Sequence, residues 1–134
     1  MVAKKQSKNT AQSEINYVIT FVKTLKFEGL MLAALMVVLT REAGRSLWFL
    51  PATFLLFDIS MVGYLVNKKF GAFTYNLVHN SVLPTMILIA GILLSNELMQ
   101  LCAYAWLFHV GIDRALGYGL KHKTSFKHTH LGRL

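Results

Sequence analysis

Apolar residues fall in four long stretches along this chain, at 29–40, 46–66, 70–95 and 98–112, parted by short polar or basic segments. A hydrocarbon core of about 30 Å is crossed by roughly 20 helical residues, a length the second and third stretches reach unaided. The first reaches it when extended back through Leu25, taking in Lys26 and Glu28; the fourth does so when extended to Tyr118, taking in Asp113 and Arg114. Those charges then stand near helix ends, where they are tolerated. Helices of a soluble bundle carry a polar face, and residues 81–95 show almost none. The pattern predicts an all-α, polytopic membrane protein built as a four-helix transmembrane bundle.

Ahead of the first span, Ile15, Val18, Ile19, Val22 and Leu25 recur at helical spacing while Lys23 and Lys26 fall elsewhere. This predicts a short amphipathic interfacial helix, although a plain extension of the first span would show the same spacing. Pro84 is expected to kink the third span. Gly117 and Gly119 are expected to end the fourth and turn the chain back under the bundle, bringing His128 or His130 near Asp113. The organisation is thus a basic segment at 1–25, a transmembrane domain at 26–120 and a basic, His-containing tail at 121–134.

Composition agrees with this, at 54% hydrophobic and 15% charged residues with a mean hydropathy of +0.47. The length leaves room for one domain. The single Cys102 lies within an apolar stretch, which excludes a disulfide framework and a Cys-based zinc site. Lys4, Lys5 and Lys8 open the chain in place of a cleavable signal, so the first anchor is expected to direct insertion. With an even number of spans both termini share one side. That side collects Lys4, Lys5, Lys8, Lys23, Lys26, Lys68, Lys69, Lys121, Lys123, Lys127 and Arg133, against Arg41 and Arg45 on the other. The positive-inside rule then makes both termini cytoplasmic. Topology and anionic lipid headgroups account for the net charge of +8, so membrane lipids, not nucleic acid, are the expected partners.

Against this background the polar residues within the spans stand out. Counted from the 67–70 loop, Asp58 and His79 each lie about 13 Å up their helices, and His109 lies at a similar depth counted from Tyr118. Asp113 is one turn nearer the cytoplasm and Glu28 lower still. An ionisable group at membrane depth marks a functional site by default. His109 and Asp113 are spaced i,i+4 and Asn76 and His79 i,i+3, with Tyr75 a turn below His79. Two imidazoles and two carboxylates form the donor set preferred by zinc or non-haem iron. The same set serves equally as a histidine pair that moves protons, or as interhelical hydrogen bonds that hold a small bundle together.

Several segments together carry a family resemblance: Asp58-Ile59-Ser60-Met61-Val62-Gly63-Tyr64-Leu65, Tyr75-Asn76-Leu77-Val78-His79, His109-Val110-Gly111-Ile112-Asp113-Arg114 through Lys121, and Thr129-His130-Leu131-Gly132. From Lys26 onward the chain resembles the small bacterial membrane family known as domain of unknown function 4260, which implies a bacterial inner-membrane location. Phe57 stands where the family has Pro, and His128 where Asp is common. The layout also resembles that of small membrane-bound metal-dependent hydrolases. That likeness implies Asp58, His79, His109 and Asp113 as ligands of a divalent metal, zinc or iron. It further implies His130 as an extra ligand or proton carrier, and Glu28 or one Asp as general base. The implied substrate is a lipid-like ester or phosphoester, with Arg114 and Lys121 at the headgroup. Two other classes fit the same residues: a proton-coupled transporter or channel, and a small structural or accessory subunit. Gly63, Gly71, Gly91 and Gly111 allow the close helix approach that a homo-oligomer would use.

Overall fold

Two asparagines start two of the helices. Asn67 Oδ1 accepts from the Phe70 N–H at 2.9 Å and Asn96 Oδ1 from the Met99 N–H at 3.0 Å, each satisfying a donor that a helix start leaves orphaned. At the other end of the last helix, Gly117 sits at φ +100°, a conformation that suits glycine. The Tyr118 N–H then returns to the Asp113 carbonyl at 2.7 Å.

In the computed structural model, which describes residues 2–122, 125–129 and 131–133, the elements are helices followed by a small sheet. They are α1 (Val2–Glu42), α2 (Phe49–Thr53), a 3-10 helix (Phe54–Leu65), α3 (Lys68–Val78), α4 (Val82–Leu93) and α5 (Glu97–Leu116). The short strands β1 (Lys121–His122), β2 (Ser125–Thr129) and β3 (Gly132–Arg133) follow, antiparallel in that order. Helix α5 is the axis of the fold, in contact with α1, α2, α4 and the 3-10 helix, while α3 packs on the 3-10 helix and on β1. Small residues bring α1 and α5 close together: a Cβ on Gly111 would meet Ala33 N and Gly29 O at 2.8 Å. Beside that crossing, Met36, Tyr104 and Leu107 form the core, flanked by Leu32, Leu39, Leu88 and Phe108.

The predominantly helical class is as expected, with corrections in detail. Helix α1 runs unbroken from Val2 to Glu42, so there is no separate interfacial helix ahead of the first span. Among the described residues, one helical unit is long and apolar enough to cross a membrane: Lys68–Leu93, of mean hydropathy 1.5. The expectation of four spans is met on that test for one stretch. In the second stretch the winding tightens to 3-10, where residues i and i+3 eclipse. Phe54, Phe57, Ser60 and Gly63 consequently form one inward row, while Leu55, Leu56, Ile59, Val62 and Leu65 face outward. Gly63, Gly71, Gly91 and Gly111 all pack against residues of this same chain.

The third stretch breaks at residues 79–81, before Pro84 rather than at it. Backbone groups freed in an apolar setting need partners, and side chains supply several of them here. Asn80 Nδ2 donates to the carbonyls of Asn76 (3.0 Å) and Leu77 (2.6 Å), while its Oδ1 accepts from Val82 N (2.9 Å) and Leu83 N (3.2 Å). Trp106 Nε1 donates to the Val78 carbonyl at 2.6 Å. His79 stands at this discontinuity.

Candidate metal centre

Three structural devices deliver the four polar residues of the site. Asp58 comes from the 3-10 helix, His79 from the break after α3, and His109 and Asp113 from successive turns of α5. His79 Nε2 lies 3.4 Å from Asp58 Oδ1, 3.6 Å from Asp113 Oδ2 and 3.1 Å from His109 Nε2. His109 Nε2 lies 3.8 Å from both Asp58 Oδ1 and Asp113 Oδ2. The residues predicted to be level in depth therefore meet, and Asp58, His79 and His109 offer ligand atoms all within 4.8 Å of one another.

Aromatic packing fixes the imidazoles. The Tyr75 ring stacks on His79 at 3.7 Å between centroids, and Phe54 and Phe57 tilt against His109 at 4.4 and 5.4 Å. Trp106 stacks on Phe57. His79 Nδ1 donates to the Tyr75 carbonyl at 3.0 Å, because a carbonyl can only accept. In the neutral ring that leaves a lone pair on Nε2, aimed into the cluster. Such an outer hydrogen bond is the usual device for orienting a metal-bound histidine. Tyr75 also donates its hydroxyl to Asp113 Oδ2 at 3.3 Å.

The donor set fits a metal on two counts. A tetrahedral ion with ligands at 2.0–2.1 Å has ligand–ligand edges of about 3.3–3.4 Å, which the 3.1, 3.4 and 3.8 Å separations among His79, His109 and Asp58 bracket. The Asp58 carboxylate and the two imidazoles are also donors of the kind that zinc and iron prefer. The imidazoles form the closed back of the site, with side chains 2% and 0% exposed, while Asp58 (28%) and Asp113 (14%) face outward. They face a cleft of about 320 Å³ lined also by Phe54, Met61, Tyr75, Leu116, Tyr118 and Lys121.

The tail closes one side of this cleft, as the two glycines after α5 imply. Asn76 Oδ1 accepts from Lys121 N at 2.6 Å and Asn76 Nδ2 donates to Lys121 O at 2.9 Å, so the side chain amide pairs with the backbone as a neighbouring strand would. Lys121 Nζ is thereby held 5.1 Å over the Tyr75 ring. Burial lowers the pKa of this lysine, against the opposing pull of the Asp113 carboxylate.

The model of a protein family described as a domain of unknown function, DUF4260, matches residues 22–134. The chain belongs to the DUF4260 family. The match covers the whole cluster, Asn76 and the tail, and leaves out the first turns of α1. Comparison with curated proteins and with solved structures finds no match.

Within this DUF4260 chain, Asp58, His79, His109 and Asp113 are brought together as the sequence implies. Glu28 is not: it is exposed on α1, outside the cluster's ion pairs. His130 lies outside the described residues. Arg114 packs its Cβ close to Gly29 on the α1 side, whereas Lys121 lines the cleft. Sequence reasoning missed the aromatic frame of Phe54, Phe57 and Trp106, and the pairing of Asn76 with the tail. The i,i+3 spacing of Asn76 and His79 was the one available signal.

Proposed function

We propose that this is a multi-pass protein of the bacterial cytoplasmic membrane that holds a divalent metal, zinc or iron, at Asp58, His79, His109 and Asp113. In this reading it hydrolyses a lipid-like ester or phosphoester. The observation that carries the proposal is the convergence of four lone-pair donors, at 3.1–3.8 Å, on the wall of a cleft. The kind of donors in that set favours a divalent cation over bare packing.

Three features support the membrane. Lys68–Leu93 is only 17% buried in its most apolar window, whereas the core helix of a soluble protein would be largely covered. Leu55, Leu65, Leu93 and Leu94 are 71–85% exposed. The apolar segment Phe49–Leu65 has few residues for a span, yet 3-10 winding at about 2.0 Å per residue stretches it to roughly 30 Å. A broken helix beside a polar site is also how membrane proteins build binding sites within apolar surroundings. The distribution of lysines keeps both termini cytoplasmic.

A metal held here would supply a Lewis acid and lower the pKa of water that reaches it. The protein supplies orientation: the aromatic frame locks both imidazoles, and the Tyr75 hydroxyl holds Asp113 in place. Asp58, the more exposed carboxylate, would hold the metal through the Oδ1 that faces the imidazoles and accept a proton from water at its second oxygen. Elemental analysis of detergent-purified wild type beside His79→Ala and His109→Ala tests the site. Near-stoichiometric metal, lost in both variants, is expected; metal absent from wild type purified without chelator would overturn the proposal.

The 3.1 Å separation of the two Nε2 atoms also suits a hydrogen bond, and so favours a proton relay as second reading. Asp58→Asn separates them. A relay retains proton flux in liposomes, whereas a metal centre loses affinity.

A further inference from the structure

A short length of backbone, residues 117–122, joins α5, which carries His109 and Asp113, to α3, which leads into His79. At its start, across the left-handed turn at Gly117, the Tyr118 N–H donates to the carbonyl of Asp113 at 2.7 Å. At its end the Lys121 N–H and C=O pair with the Asn76 side chain at 2.6 and 2.9 Å, one helical turn before His79. An asparagine amide offers one donor and one acceptor, as a peptide group does, so Asn76 closes the edge of β1 that faces away from β2. Both bonds go to backbone atoms, and the tie is independent of the lysine's charge. Between the two ends stands Tyr75, 3% exposed, whose ring stacks on His79 and whose hydroxyl donates to Asp113. Tyr118 and Lys121 border the same cleft as Tyr75. Lifting residues 117–122 away would therefore open the cleft beside Tyr75 and release a backbone tie between α3 and α5.

We infer that residues 117–122 form a clasp over the metal centre, with Asn76 as the positioning residue that locks it. The inference rests on the metal reading above, and it adds a coupling between metal occupancy and the docking of the tail. With the clasp closed, His79 Nε2 and Asp113 Oδ2 are held 3.6 Å apart, within reach of one ion. With it open, Tyr75 and the spacing of the two helices lose that restraint, and metal binds more weakly. Coupling between two equilibria is reciprocal, so bound metal holds the clasp shut by the same factor. The tail is thereby a metal-responsive element, docked when the site is filled and released more often when it is empty.

The test is hydrogen–deuterium exchange of the full chain in detergent, with and without zinc, read at the Lys121 amide, beside zinc affinity measured by competition with a chromophoric chelator. In wild type, zinc is expected to slow Lys121 exchange by about tenfold, the lower end of what an orienting contact contributes to metal affinity. Asn76→Ala removes both bonds and speeds that exchange on the order of 5–150-fold. It also weakens zinc binding by about tenfold, while amides in the middle of α5 stay protected. His109→Ala abolishes the effect of zinc on Lys121 exchange, which separates the cluster from zinc held by the tail's own histidines; an effect that survives would overturn the clasp. So would zinc-bound wild type whose Lys121 amide exchanges as fast as in zinc-free protein, an arm that needs no variant to fold. Asn76→Ala with a freed Lys121 amide and unchanged zinc affinity would overturn the positioning role. Wild type that takes up no zinc sinks the metal reading and the coupling with it, an outcome the affinity measurement tells apart from failure of the clasp alone.

Discussion

Asn80 holds the broken third stretch together, and its removal is the sharpest test of how the site is built. Asn80→Ala deletes the acceptor for Val82 N and Leu83 N and the donors to the Asn76 and Leu77 carbonyls. Loss of the helix-starting acceptor costs about 1 kcal/mol. The two donated bonds add about 0.5–1.5 kcal/mol each, because their carbonyls have little water to turn to. The sum is roughly 2–4 kcal/mol, which for a chain of this length lowers the unfolding temperature by about 10 °C. Asn80→Ser keeps an oxygen at the start of α4 and recovers about 1 kcal/mol. Because His79 is the neighbouring residue, the loosened break is also expected to weaken metal affinity by about 10–100-fold, as loss of an orienting contact does. Thermal unfolding in detergent, followed with and without added zinc, reads both effects. An Asn80→Ala protein melting within about 2 °C of wild type would refute the claim that this side chain stabilises the break.

Other outcomes follow from the same geometry. Gly111→Ala, which in an open helix would gain about 1 kcal/mol, is expected to destabilise by about 1–3 kcal/mol, since the new Cβ meets backbone of α1 at 2.8 Å; thermal melting gives the sign. Stripping the metal with a chelator is expected to lower stability by about 2.7 kcal/mol relative to protein at a hundredfold excess over Kd, and unchanged melting would deny the site its metal. Tyr75→Phe keeps the ring that stacks on His79 but loses the hydroxyl donated to Asp113, so metal content persists while affinity falls about tenfold or more in a metal titration. In a Cys102→Ser background, Phe70→Cys is expected to react with a membrane-impermeant thiol reagent only from the cytoplasmic side. Labelling from outside would reverse the orientation.

The sequence by itself determined the helical class, because long apolar stretches without a polar face leave few alternatives to helices. It also singled out Asp58, His79, His109 and Asp113, since ionisable groups in apolar surroundings are conspicuous. The turn after α5 was legible for a similar reason: Gly117 adopts a left-handed conformation that other residues rarely do.

Only the tertiary structure decided where helices bend, tighten and meet. A uniformly apolar stretch has no periodicity to distinguish 3-10 from α winding, so the inward row of Phe54, Phe57, Ser60 and Gly63 was hidden among equally apolar neighbours. Pro84 marked the third stretch as breakable, but the break went to residues 79–81, where Asn80 and Trp106 satisfy the freed backbone. Glu28 shared the charge pattern of a site residue, but packing leaves it exposed on α1 and outside the cluster's ion pairs. The pairing of Asn76 with Lys121 joins residues 45 positions apart, a contact with no local signature. Local chemistry names the groups that want partners, and packing in three dimensions chooses which partners they get.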